Sequence, residues 1–439
     1  MTPTAAPETA PAPRRTLRLV FLTVFMDFVG FSLLFPLYPG LLEHYFRSEP
    51  DGSLLHSLLA GARHLAGHGN EVAVAALFGG LLGAIFSLLQ FLFAPVWGAL
   101  SDRFGRRPTL LITLSGTALA YVLWAFAGAF WVLVASRVLA GVMAGNISVA
   151  QAAAADVTTG KDRAKAMATV GLGVAAGILC GPAMGGIAAH LGAGVTGEPG
   201  AMFALNPFSV AAGLSLLMAA LNLAVAWRSF PETLPAQNRR RESARASVLR
   251  LARIGSPDIR RATLVNLCFF SAFAGMESTL TFVALELFNY TPGQNAVMFT
   301  FIAVSMGLIQ GGVVRRMGHR IGEKRMVIAG LVCGLAAFAL IAASRHEAPF
   351  FAGLFLFSTA VSLTQPGLAA LISMYSDERT QGFHSGVFRS AGALARAVGP
   401  LVAALLYFRL GTHSGVYLAG AIATLVPLAI ALRLRQPAE

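Results

Sequence analysis

Asp27, Arg137, Glu277 and Arg389 stand inside long apolar runs of this 439-residue chain. Placing a charge there costs ~3 kcal/mol or more, so each such residue is a candidate functional group. A carboxyl out of water can take up and release a proton, which suits proton carriage. A guanidinium presents a planar fork that fits an anionic substrate. Asp27 lies roughly three helical turns into the first run. Arg137 precedes the small-residue stretch Ala144-Gly145-Asn146, and Glu277 lies within Ala274-Gly275-Met276-Glu277-Ser278-Thr279. Arg389 and Arg396 share one face of the eleventh run. The competing account is structural: Asp27 pairs with Arg137 and Glu277 with Arg389, holding helices together without touching a ligand. Arg396, nearer a Gly-Pro run, is expected to be structural, and Glu286 to reach water at the outer end of the seventh run.

A second cluster is Gly98-Ala99-Leu100-Ser101-Asp102-Arg103-Phe104-Gly105-Arg106-Arg107. Gly98 and Gly105 permit close approach and a tight bend. Asp102 suits a neighbouring helix N-terminus, where the macrodipole favours an anion. Arg106 is expected to pair with Asp156, at the end of the fourth run. With Arg103 and Arg107, these residues predict a gate that holds one face shut in one transport state. The alternative is a solvated loop whose arginines only set topology.

The elements that carry these residues are apolar helices at 17–40, 73–100, 108–129, 131–156, 165–190, 206–228, 262–288, 293–315, 326–344, 349–374, 384–408 and 414–434. Each is long enough to cross the roughly 30 Å hydrocarbon layer. The fold class expected is an all-α membrane protein of two six-helix bundles. A disordered tail at 1–16 precedes a bundle at 17–228; a linker at 229–261 contains Arg239-Arg240-Arg241 and a candidate surface helix, and a bundle at 262–435 follows.

Composition agrees: 56% of residues are hydrophobic and 12% charged, about half the charge of a soluble domain. The net charge of +13 is unevenly placed. Arg47, Arg63, Arg345 and Arg409 fall on one face and Arg137, Arg389 and Arg396 within spans; every other Lys and Arg falls on the face of the 98–107 turn. That asymmetry places both termini in the cytoplasm. It also argues against nucleic acid, since no basic–aromatic patch accompanies it. No phosphate-binding loop ending in Lys-Ser/Thr is present, so no cofactor is expected and a proton gradient is the energy source. Cys180, Cys268 and Cys333 read as small core residues. His64 and His68 are spaced i, i+4 in the outer loop at 42–72, but without further ligands they predict solvated loop rather than metal.

Polar positions that could line a path are Gln90, Asn146, Gln151, Asn266, Gln310 and Gln365, with Phe28 among candidate aromatic walls. Each polar one is equally suited to an interhelical hydrogen bond. In the fifth run, Gly177, Gly181, Pro182, Gly185 and Gly186 make a smooth, bent packing face.

The halves resemble one another. The 102–107 turn is matched by His319-Arg320-Ile321-Gly322-Glu323-Lys324, and Gly177–Gly186 by Ala395-x-x-x-Gly399-Pro400-x-x-Ala403-Ala404. Repeated halves with a midplane site are transporter architecture. The 98–107 turn resembles the loop between helices two and three of the major facilitator superfamily. The Gly-Pro run and Arg137-x-x-x-Gly141 resemble its drug/proton antiporter branch. Met26-Asp27-Phe28-Val29-Gly30 resembles the first helix of tetracycline/proton antiporters. Leu77–Gly83 and Phe86–Leu92 resemble tetracycline-transporter-like proteins. The resemblance implies a monomeric inner (plasma) membrane transporter that exports amphipathic drugs in exchange for protons, with Arg137 in proton transfer. The alternatives are an organic-anion transporter using its buried arginines and a non-transporting membrane receptor. His319 in place of an acid, and Ala403-Ala404 in place of two glycines, predict a weaker or differently regulated second half.

Overall fold

The computed structural model describes residues 13–48, 50, 52–66, 71–158, 160–196, 201–235, 256–314, 322–376 and 381–436. Among them twelve helices are long and apolar enough to span a bilayer. In order, these spans one to twelve are Pro13–Ser48, Glu71–Phe104, Arg106–Ala125, Phe130–Asp156, Thr169–Gly192, Ser209–Ser229, Pro257–Phe288, Pro292–Gly312, Glu323–Ala343, Glu347–Met374, Gly386–Leu410 and His413–Leu432. The helices of spans five and eleven extend further toward the chain termini's side, over Gly160–Gly192 and Gln381–Leu410.

Three boundaries differ from expectation. Span one is already helical at Pro13, so the tail ends before residue 16. A proline in a first turn loses nothing, because its missing N–H would have had no partner. Span seven likewise begins at Pro257, which moves residues 257–261 from the linker into the second bundle. Residues 236–255, where the surface helix was expected, lie outside the described residues. The outer segment 42–72 is not simply solvated loop: it holds the end of a helix at Tyr38–Ser48 and a helix at Leu54–Ala66. Leu55 and Leu59, one turn apart on that second helix, are fully buried with Leu41, Leu42 and Tyr45. An apolar stripe of period 3.6 folds back onto the bundle rather than staying in water. His64 lies in this helix, and His68 lies outside the described residues.

Within each half the main packing pairs are repeated: span one against five, and span seven against eleven. Between the halves, span two packs on eleven and span five on eight. The closest approaches lie toward the face away from the termini. A Cβ at Gly80 would overlap that of Ala404, and a Cβ at Gly186 would overlap that of Ala296. The Phe35 and Phe299 rings stand 6.0 Å apart here, and the Asn295 amide donates to the Pro36 carbonyl at 3.4 Å. On the termini face, no side-chain hydrogen bond or ion pair joins the two bundles among the described residues.

The Ala403-Ala404 pair sits at a close helix crossing. Each alanine faces a glycine on the opposing helix, Ala403 against Gly275 and Ala404 against Gly80. The small residue has changed sides, and the close crossing survives.

Gly80→Val should wedge the bundles apart at this crossing, an overpacking cost of about 1–3 kcal/mol. The expected result is a lower melting temperature of purified protein. Gly213→Ala, whose Cβ would meet nothing within 4 Å, should melt like the parent.

Candidate functional site

Span four is two helices rather than one, Phe130–Met143 and Asn146–Asp156, separated at Ala144-Gly145. The break has a local cause. The Trp97 ring of span two occupies the space where a Cβ of residue 145 would stand, so only glycine lets the helices approach. The Trp97 indole N–H donates to the Val142 carbonyl at 2.6 Å, and the Ser148 hydroxyl contacts the Gly145 carbonyl at 2.7 Å. Broken helices are tolerated at membrane depth when the freed groups are re-partnered in this way.

Asp27 meets the chain at this break. The Asn146 side-chain amide donates to Asp27 Oδ1 at 2.6 Å. The Asn146 carbonyl oxygen accepts from the Ile147 N–H at 3.2 Å, which turns the amide nitrogen toward the acid. Asn146 is buried, 2% exposed. It makes the interhelical hydrogen bond that the sequence offered as one of its two readings. Phe28, next to Asp27, packs on Gly177 of span five, where a Cβ would overlap its own.

Arg137 is not paired with Asp27, contrary to the expected ion pair. It is 3% exposed, its Nε donates to the Ser136 hydroxyl at 3.2 Å, and its guanidinium lies over the Trp124 ring at 5.0 Å. Tyr121 packs against Gly30, one turn from Asp27. A ring face offers a buried cation a partner without a second charge, which is how Arg137 is accommodated. Sequence reading missed Tyr121 and Trp124 as site residues because an aromatic in an apolar helix carries no distinguishing signal.

In the second bundle, Glu277 and Arg396 act on one another electrostatically without a direct ion pair. Arg396 is exposed although it lies one turn from Gly399, which packs on Ser271 and Gly275 of span seven. Arg396, expected only to support the Gly-Pro run, is thus the charged neighbour of Glu277. The side chain of Arg389 lies outside the described residues. Asn266 and Gln365 are brought together: the Gln365 amide donates to Asn266 Oδ1 at 3.2 Å, and the Asn266 amide to the Phe388 carbonyl at 3.0 Å. Gln90 and Gln151 are half-buried. Gln310 is exposed in a π-helical turn at Ile309–Val314 that ends span eight. Glu286 does not simply reach water: it bonds Tyr407 and pairs with His413 Nδ1 at 2.9 Å.

The 98–107 turn is organised around one buried arginine of the first bundle. Arg106 is 6% exposed. Its Nη1 donates to Asp102 Oδ1 and to the Ser101 hydroxyl, each at 2.6 Å, and its Nε to Asp156 Oδ2 at 2.8 Å. Gly105 takes φ +108°, a conformation a side chain would strain. Gly322 takes φ +79° at the matching turn, so the second half keeps the bend. Asp102 does not cap a helix as expected. That part falls to Glu232, whose carboxylate accepts from the Arg106 and Arg107 backbone N–H groups at 2.9 and 3.3 Å. In the second half, Gln436 accepts from the Lys324 N–H at 3.2 Å. Only a chain return after the sixth or twelfth span creates these caps, which is why motif reading did not find them. Arg107 donates to the Trp227 carbonyl at 2.6 Å, while Arg103 is exposed over the Phe104 ring at 5.1 Å. These bonds tie the turn to the first bundle and to Glu232, just after span six.

Twelve spans in two matching halves, with the turn motif in place, agree with the comparison to known proteins. The Major Facilitator Superfamily profile matches residues 20–321 and 313–439. The chain belongs to that superfamily. Its members are transporters, not enzymes, and this chain is a membrane transporter of organic compounds. It is 34% identical to major facilitator superfamily domain-containing protein 10 of Bos taurus, over 99% of this chain and 95% of that one. It is 29% identical to the class C tetracycline resistance protein of Escherichia coli, over 88% of each. The crystal structure of the human organic anion transporter MFSD10 (TETRAN) superposes with a TM-score of 0.75 at 33% identity, covering 96% of this chain and all of that one. A bacterial homologue of the human lysosomal transporter Spinster shares the fold at 13% identity and a TM-score of 0.68.

Removing one partner of a buried ion pair costs about 3–5 kcal/mol, because the other charge is left uncompensated. Arg106→Ala should therefore lower the melting temperature markedly, and Arg103→Ala only slightly. Thermal unfolding of both variants side by side checks this.

Proposed function

We propose that this chain is a proton-coupled secondary transporter that exports amphipathic organic compounds from the cell in exchange for protons. The observation that carries the reading is the Asp27 carboxyl, held inside the first bundle by Asn146 at a helix break. An ionisable group kept from water at a broken helix is the arrangement by which transporters bind and release coupling ions. Glu277 supplies a second such carboxyl in the other bundle. The tetracycline resistance relatives point the same way by their names. The Lys and Arg asymmetry orients both termini to the cytoplasm of a plasma membrane.

A second observation narrows the substrate class. Arg396 is accessible, close to Glu277 and not ion-paired to it, so its guanidinium can receive a carboxylate or sulfonate from a ligand. The related human protein described as an organic anion transporter supports that reading. Amphipathic organic anions are therefore the favoured cargo.

In sealed vesicles holding purified protein, a pH gradient should drive flux of a fluorescent organic anion. Asp27→Asn should reduce that flux more than about tenfold, the effect of ~1.4 kcal/mol, while exchange of labelled for unlabelled anion persists. Retained gradient-driven flux would refute the proton assignment, and absence of any flux by the parent would favour a receptor. Arg396→Ala should weaken binding of the anion and spare a cationic dye of similar size.

A further inference from the structure

The trailing half of span four, Asn146–Asp156, is attached to functional residues at both ends. At its start, Asn146 bonds Asp27. At its end, Asp156 accepts from Arg106 Nε at 2.8 Å and from the Thr233 hydroxyl at 3.0 Å. Both contacts lie on one helix of eleven residues, its two ends included, about 15 Å apart at 1.5 Å rise per residue. The break at Ala144-Gly145 frees this segment from Phe130–Met143, because no continuous hydrogen-bond ladder crosses it. Val149, Ala150, Ala153 and Ala154 on the segment are fully buried, so it is packed along its length.

We infer that Asn146 is a positioning residue that couples the proton state of Asp27 to the Arg106 cluster, with the Asn146–Asp156 helix as the rigid connector. The inference rests on Asp27 being the proton carrier. The physical step is simple. The Asn146 amide nitrogen can only donate toward Asp27, because its oxygen is held by the Ile147 N–H. An ionised Asp27 accepts that bond at either oxygen. A proton taken up on the free Oδ2 discharges the acid, and the charge-assisted bond from Asn146 to Oδ1 weakens to an ordinary one. The connector then shifts at its Asn146 end, and Asp156 shifts against Arg106 at the other. Arg106 in turn holds Asp102 at the end of span two.

The groups around Asp27 leave Asn146 as its direct polar contact. Span three contributes Tyr121, which feels Asp27 and Arg137. Span five presents Gly173 and Gly177 to span one. Span six presents Ser215 and Asn222, which donate to the Gly30 and Thr23 carbonyls. None of the groups from spans five and six carries a titratable proton.

The test reads protons alone, so no substrate is needed. Full-length protein lacking its native cysteines carries spin labels through Arg228→Cys and Arg433→Cys, exposed positions ending spans six and twelve. Label distances in lipid nanodiscs are measured from about pH 5 to about pH 9, a range that brackets ordinary and shifted carboxyls. The parent should redistribute between two distances as pH changes, and Asp27→Asn should not. Asn146→Ala and Asp156→Asn should reduce the redistribution at least about fivefold, the lower bound of typical site–site coupling. Asn146→Ser keeps a small donor and should recover most of it; with Asp156→Asn it decides the matter if Asn146→Ala fails to fold. Full pH response in Asn146→Ala beside none in Asp27→Asn would overturn the coupling and leave the carrier assignment standing. Full response in Asp27→Asn, or none in the parent, would overturn both.

Discussion

A hydrocarbon layer offers no water to a displaced carbonyl or a lone charge, and the polar architecture of this protein follows from that. Where span four breaks, the Trp97 indole takes the Val142 carbonyl and Asn146 turns its amide to Asp27. Arg137, deep in the same bundle, is set over the Trp124 ring. Arg106 satisfies its fork with Asp102, Asp156 and Ser101. Each arrangement answers the same need, and each ties two or more helices together.

Close packing supplies the second theme. Lipid gives helices little hydrophobic reason to associate, so small residues that let backbones meet carry the crossings. In the first half the glycines lie on span five: Gly177, Gly181 and Gly185 receive span one, and Gly186 receives Ala296 of span eight. In the second half, span eleven offers Ala403 and Ala404, and the glycines lie opposite, at Gly275 and Gly80. What repeats at the two crossings between bundles is a glycine meeting an alanine, Gly186 with Ala296 and Gly80 with Ala404. The two crossings between bundles thus remain comparable in closeness, as a rocking motion of similar halves requires.

The polar links are distributed unevenly. Near the face away from the termini, the bundles meet through packed glycines, alanines and aromatic rings. On the termini face, the bonded clusters of Arg106 and of Gln436 stay within their own bundles. The contacts away from the termini, with the Asn295–Pro36 hydrogen bond among them, carry no charge. The clusters of charge are held within each half by their own bonds. A caps-and-turns arrangement shared by both halves, Glu232 with Gly105 and Gln436 with Gly322, keeps those parts rigid.

The twelve spans, the two halves, the glycine-hinged turn and the Arg106–Asp156 pair were legible in the chain. Length and hydropathy determine a membrane helix almost alone, since the hydrocarbon layer tolerates little else. The same reasoning singled out Asp27 and Glu277, because an acid in an apolar run is costly wherever its helix packs. Partner choice was not legible. Asp27 bonds Asn146 rather than Arg137, Glu277 neighbours Arg396, and Glu232 caps a helix more than a hundred residues earlier in the chain. Those pairings depend on how helices cross and rotate, and rotation by a third of a turn exchanges one neighbour for another. Which residues were to be partnered was written along the sequence; which partner each received was decided by the packing of the twelve helices.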